Sequence, residues 1–176
     1  MKTAVIYWSK TGNTEKVAEV IRDTTESKGH DVDYLRTEDA MDLDYYDYDL
    51  FCIGFPSYRW HPPKPVDEFL TDHHRRYSKL GRIVPGAPRL VGRYAVIFCT
   101  YSGTHTGIDE AIPAGKYAGQ FFDHLGFTVL DEIYVIGEHE SEQESTMGRL
   151  GDIRGRPDER DLNQVRNRIE TILDQL

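Results

Sequence analysis

Residues Ser9-Lys10-Thr11-Gly12-Asn13-Thr14 put three hydroxyls, an amide and a glycine directly after the apolar run Ala4–Trp8. A helical pattern starts at once behind them. This spacing aims backbone N–H groups, hydroxyls and a helix N-terminus at one point, and such a point suits a phosphate. An ordinary helix cap needs only one such residue. Gly12 lets the backbone approach the anion closely, and Lys10 adds a positive charge or stands in solvent.

Two further segments carry residue types fit for binding. Gly54-Phe55-Pro56-Ser57-Tyr58-Arg59-Trp60-His61 offers flat aromatics for stacking. Thr100-Tyr101-Ser102-Gly103-Thr104-His105-Thr106-Gly107 offers hydroxyls and a glycine-rich backbone. Turn chemistry would use the same residue types. Together the three segments describe a pocket for a planar ring joined to a phosphate.

No nucleophile–base pair and no Walker loop accompanies them, so no catalytic residue is assigned. His61, His73 and His74 form no coherent ligand set, because neighbours on a helix point to different faces; no metal is expected. Cys52 and Cys99 read as small core residues without a disulfide framework.

The elements that must position these segments follow from periodicity. Strands are expected at 3–7, 31–35, 50–55, 94–100 and 128–135. Helices are expected at 13–28, 62–77, 108–125 and 158–176. The first helix buries Thr14, Val17, Ala18 and Ile21. The last carries a stripe of Leu162, Val165, Ile169, Ile172, Leu173 and Leu176. Residues 137–156 read as a long polar loop. Alternating strands and helices imply a parallel sheet covered on both faces, with ligands held beyond the strands' carboxyl ends at the switch of strand order. The whole of 1–176 reads as one domain.

The chain of 176 residues has a net charge of -9 and a pI near 5.2, which argues against nucleic-acid binding. Residues 59–93 carry +5, leaving -14 on the remainder. The acidic stretch Glu38–Asp49 is expected to be a solvated face. No apolar run reaches about 18 residues, so no membrane span is expected. The first residues do not form a signal peptide, and a cytoplasmic location is the default.

The three segments, in order on their strand ends, resemble the flavodoxin family. Ser9–Thr14 matches the family's phosphate loop Thr/Ser-x-Thr-Gly-x-Thr. Tyr48–Tyr58 is similar to its third strand and second flavin loop. Cys99-Thr100-Tyr101-Ser102-Gly103 stands at the third. The resemblance implies a three-layer, doubly wound α/β fold with a five-stranded parallel sheet in the order 2-1-3-4-5. It implies FMN as cofactor, with Ser9, Lys10, Thr11, Gly12, Asn13 and Thr14 at the phosphate. Pro56, Ser57, Tyr58, Arg59, Trp60, Thr100, Tyr101, Ser102, Gly103, His105 and Gly107 would meet the ring system. Tyr58 or Trp60 would stack on it, and a cation at Arg59 or His105 would favour its reduction.

Two activities fit the resemblance. One is an electron carrier between redox partner proteins, a donor reductase and an acceptor enzyme. The other is an FMN-dependent reductase that takes hydride from NAD(P)H and reduces a quinone or another conjugated acceptor. The third loop, Ser102–Gly107, is closer to that of flavodoxin-like quinone reductases. A flavodoxin-fold module acting only through its surface is the third alternative, and the intact first loop argues against it.

Overall fold

Val5, Ile6, Leu50, Ile53, Val96 and Ile97 have no exposed surface, because their strands are covered on both faces. The computed structural model describes residues 1–176. Five strands, β1 (Lys2–Tyr7), β2 (Asp31–Arg36), β3 (Leu50–Pro56), β4 (Tyr94–Tyr101) and β5 (Thr128–Ile136), form one sheet. All pairings are parallel, and the order is β2-β1-β3-β4-β5. The continuous apolar runs at β3 and β4 are the signature of such doubly covered strands.

Five helices connect and cover them: α1 (Asn13–Ser27), α2 (Lys64–Lys79), α3 (Ile112–His124), α4 (Glu142–Met147) and α5 (Glu159–Leu173). Val17, Ala18 and Ile21 of α1 and Val165, Ile169 and Leu173 of α5 build one core with Val5, Cys52, Val96 and Phe98. Val66, Phe69, Leu70 and Tyr77 of α2 and Ala114, Ala118 and Phe122 of α3 build the other with Ile6, Phe51, Ile53 and Ile97. Strand alternation sends neighbouring residues to opposite faces, which is why Val5 and Ile6 belong to different cores. The two cysteines are free and buried, and burial pushes the Cys52 thiol up to about 12. No cluster of His, Cys, Asp or Glu could hold a metal ion, and no helix is long and apolar enough to cross a membrane.

Several sequence expectations need correction. Residues 137–156 are not all loop, since they contain α4. The helix expected from 108 begins as a 3-10 turn, Gly107–Glu110, and α3 proper starts at Ile112 with a proline in its first turn; that is the helical position proline tolerates. Helix α2 starts at Lys64, two residues after the expected start. Leu176 lies beyond α5 and is exposed. Of the acidic stretch, Asp44 accepts hydrogen bonds from Tyr46 N–H at 3.1 Å and Tyr77 Oη at 3.1 Å. That carboxylate therefore holds local structure besides facing solvent.

Candidate functional site

The reversal of strand order between β1 and β3 opens a crevice at the carboxyl end of the sheet, where parallel-sheet ligands sit. A cavity of about 690 Å³ occupies it, within the range of small-molecule sites. Every residue expected at the site from sequence lies on its wall except Gly12, Gly103 and Gly107. Those three shape loop backbones instead, and Gly103 also lines a small adjoining recess.

The first loop is built around Gly12, whose φ of 91° lies in the left-handed region that L side chains avoid. Gly12 N–H donates to Ser9 Oγ at 3.1 Å, which tightens the turn. Arg36, at the end of β2, donates to the Ser9 carbonyl at 3.0 Å. No side chain caps α1, and its first intrahelical bond at this end is Lys16 N–H to the Gly12 carbonyl. The earlier helical amides lack an intrahelical acceptor, and Ser9, Lys10, Thr11, Asn13 and Thr14 of this turn line the cavity. Helix α5 differs: Asp158 and Asp161 cap it in a reciprocal box.

The second loop leaves β3 through Ser57, whose N–H donates to the Thr100 carbonyl at 2.8 Å and whose Oγ donates to the Glu110 carbonyl at 2.5 Å. Tyr58 and His61 then pair across a two-residue turn, with Tyr58 N–H to His61 carbonyl 2.9 Å and the reverse bond 3.2 Å. Arg59 and Trp60 occupy the turn with φ of 50° and 65°. Both angles lie in the left-handed region that a tight hairpin turn of this type demands, usually of Asn-Gly. The turn holds the Trp60 indole 62% exposed at the cavity rim. The Tyr58 ring meets Trp8 edge-on at 6.1 Å between centroids.

The third loop folds back on itself where Gly107 N–H donates to the Gly103 carbonyl at 3.0 Å. A Cβ on Gly103 would stand 2.8 Å from Gly107 Cα, so this contact needs glycine. Glu110 Oε1 accepts from His105 N–H at 2.7 Å and Thr106 N–H at 2.6 Å. Glu110 thus fixes both flanking loops and lines the cavity. Burial raises the Tyr58 and Tyr101 phenols above their ordinary value, so both are neutral donors at neutral pH.

A fourth wall comes from the 137–156 segment, a long loop that sequence reasoning allowed as a roof over a substrate pocket without assigning any of its residues to the site. Gly137, Glu138, His139, Glu140 and Glu144, from the connection between β5 and α5, also line the cavity. Asn13 Nδ2 donates to the Glu138 carbonyl at 2.9 Å, and Lys10 Nζ pairs with Glu140 Oε2 at 2.8 Å. The hydrogen bond to Glu140 raises the Lys10 ammonium above its ordinary value. Arg149 N–H reaches the Thr104 carbonyl at 2.8 Å. The connection is therefore stapled to the first and third loops. The polar composition and four glycines of 137–156 gave a long loop, and nothing in the local sequence spacing marks these long-range contacts.

The comparisons with known proteins agree with this fold. Residues 4–84 match the model of a flavodoxin domain. The flavodoxin of Megasphaera elsdenii is 30% identical over 99 residues, which is 55% of this chain and 63% of that protein. The match therefore spans somewhat under two thirds of the curated relative. Among solved structures, Flavodoxin 1 from Bacillus cereus superposes with a TM-score of 0.70 at 15% identity, over 100% of this chain and 99% of that one. A flavodoxin from the domain Archaea gives 0.64 at 19% identity, over 99% and 98%. These two likenesses are of fold. The sequence matches make the chain similar to flavodoxins over about half of its length, and the whole chain has their fold.

Proposed function

We propose that this chain binds FMN in the cavity at the carboxyl end of β1, β3 and β4 and carries electrons between redox partner proteins. The supporting observation is the uncapped N-terminus of α1, ringed by Ser9, Thr11 and Thr14, beside the Tyr58–Trp60 turn. The residues fit the group: the amides ahead of Lys16 have no intrahelical acceptor to replace a phosphate. Ser9, Lys10, Thr11, Asn13 and Thr14 hold the phosphate. Tyr58 and Trp60 cover the ring, and Ser57, Thr100, Tyr101 and Ser102 bound its polar edge. Bound FMN supplies one-electron and two-electron transfer, while the protein sets its binding and potential. Arg59 and His105, both on the cavity wall, lend positive charge to the reduced state when they face its polar edge. An unchanged flavin midpoint potential in Arg59→Ala and His105→Ala would contradict that role.

A second reading is an NAD(P)H-dependent reductase of a quinone or similar acceptor. The fourth wall supports it, because Glu138, His139 and Glu144 extend the cavity beyond the three flavin loops. Anaerobic mixing of the FMN-loaded protein with NADPH or NADH separates the two. Bleaching only after a separate reductase is added supports the carrier. Rapid bleaching by the nicotinamide alone overturns it in favour of the reductase.

A further inference from the structure

Lys10 is the only cation of the first loop, and Glu140 already holds it. The partners come from two different segments of the cavity wall, and their side chains are 55% and 56% exposed. An exposed pair of this kind contributes little to stability, so Lys10 can exchange Glu140 for another anion at small cost.

The backbone on either side of Glu140 is held by bonds that do not involve Lys10. Ser145, fully buried, accepts at Oγ from His139 N–H at 2.9 Å and donates to the His139 carbonyl at 3.0 Å. Ile153 N–H donates to the Ser145 carbonyl at 2.8 Å. Asn13 anchors the same segment to the first loop through the Glu138 carbonyl. A Cβ on Gly137 would stand 2.9 Å from Asn13 Nδ2, so the segment approaches as closely as glycine permits. The anchored backbone thus keeps the Glu140 carboxylate within reach of the first loop whether or not Lys10 pairs with it.

Resting on the FMN reading, we infer that Glu140 competes with the flavin phosphate for Lys10 and so sets how strongly the site prefers a phosphorylated over an unphosphorylated flavin. With the pair intact, Lys10 adds little net attraction at the turn. Removing the Glu140 charge frees the ammonium for the phosphate. Removing Lys10 leaves an unopposed carboxylate against a dianion. The ring system, which meets the other two loops, is indifferent to both changes.

The test is titration of the full chain with FMN and with riboflavin, read by quenching of flavin fluorescence, in wild type, Glu140→Gln, Lys10→Gln and the double variant. The expected result is FMN affinity about threefold to tenfold higher in Glu140→Gln and lower by a similar factor in Lys10→Gln, from charges interacting near the surface. The double variant returns towards wild type, riboflavin affinity stays within about twofold throughout, and high salt flattens the differences. Equal changes for FMN and riboflavin, or no change for FMN, overturn the role of Glu140 while the FMN reading stands. If no variant binds either flavin, the FMN reading fails and the inference falls with it. Both substitutions are at exposed side chains, and the charge-exchanged pair Lys10→Glu with Glu140→Lys gives a second measure that keeps the net charge.

Discussion

Thr14 Oγ1 and Thr100 Oγ1 stand 2.8 Å apart and are almost wholly buried. A hydrogen bond between two hydroxyls thus links the Ser9–Thr14 turn with the end of β4. It fixes the spacing of the first and third loops at the cavity wall.

Replacing one partner leaves the other hydroxyl buried without a bond. Thr100→Val should cost about 1–3 kcal/mol by denaturant unfolding, whereas Thr14→Val/Thr100→Val should cost less than the two single losses added together. Additive losses would show that the two hydroxyls do not depend on each other.

Gly54 lies in β3 against Phe98 of β4, and a Cβ there would stand 1.8 Å from Phe98 Cε2. Phe98 has no exposed surface and little room to move. Gly54→Ala should destabilise by about 3 kcal/mol, the upper end of ordinary overpacking, and adding Phe98→Leu should recover part of that loss. A thermal midpoint in Gly54→Ala equal to wild type would refute the close approach.

His73 is 1% exposed, and neither ring nitrogen has a hydrogen-bond partner. Its ring stacks on Tyr45 at 4.8 Å and meets Phe69 at 4.4 Å. Burial, reinforced by Arg76 against the weaker pull of Asp72 and Asp42, lowers its pKa to about 4. The unfolded chain, with a His pKa near 6.5, binds the proton more readily. Stability at neutral pH is therefore lost as pH falls from about 6.5 through about 4, by up to roughly 3 kcal/mol. Urea unfolding between pH 4 and pH 7 should show this slope, and His73→Phe should reduce it. An identical pH response in His73→Phe would remove His73 as the cause.

Positive φ at two consecutive non-glycine residues, Arg59 and Trp60, is strain held at the rim of the site. Arg59→Asn/Trp60→Gly supplies the residues that this turn prefers. The variant should gain about 1–2 kcal/mol of stability and bind FMN more weakly, since the indole is gone. Lower stability would mean that the turn is relaxed as it stands.

Legibility from sequence followed the range of the interactions. The alternation of strands and helices, both helical faces and three cavity walls follow from local patterns, such as the apolar run Leu50–Phe55 and the turn at Gly12, whereas the strand order came only with the family resemblance. The fourth wall did not follow from local patterns, because Asn13 meets Glu138 and Lys10 meets Glu140 across more than 120 residues of chain. The short helix α4 was missed for a related reason. Its one fully buried residue, Ser145, is polar and held by hydrogen bonds to His139, so no apolar periodicity announces it. At the start of α3 a proline permits two readings, and only the packing of the Gly107–Glu110 turn decides between them.

The central claim is that the cavity takes FMN, and equilibrium titration of the purified chain with FMN tests it most directly. The account predicts saturable quenching of flavin fluorescence with one FMN per chain, weakened in Gly12→Val, where a branched side chain would be strained at a φ of 91°. A colourless protein that leaves the fluorescence of added FMN unchanged would contradict it.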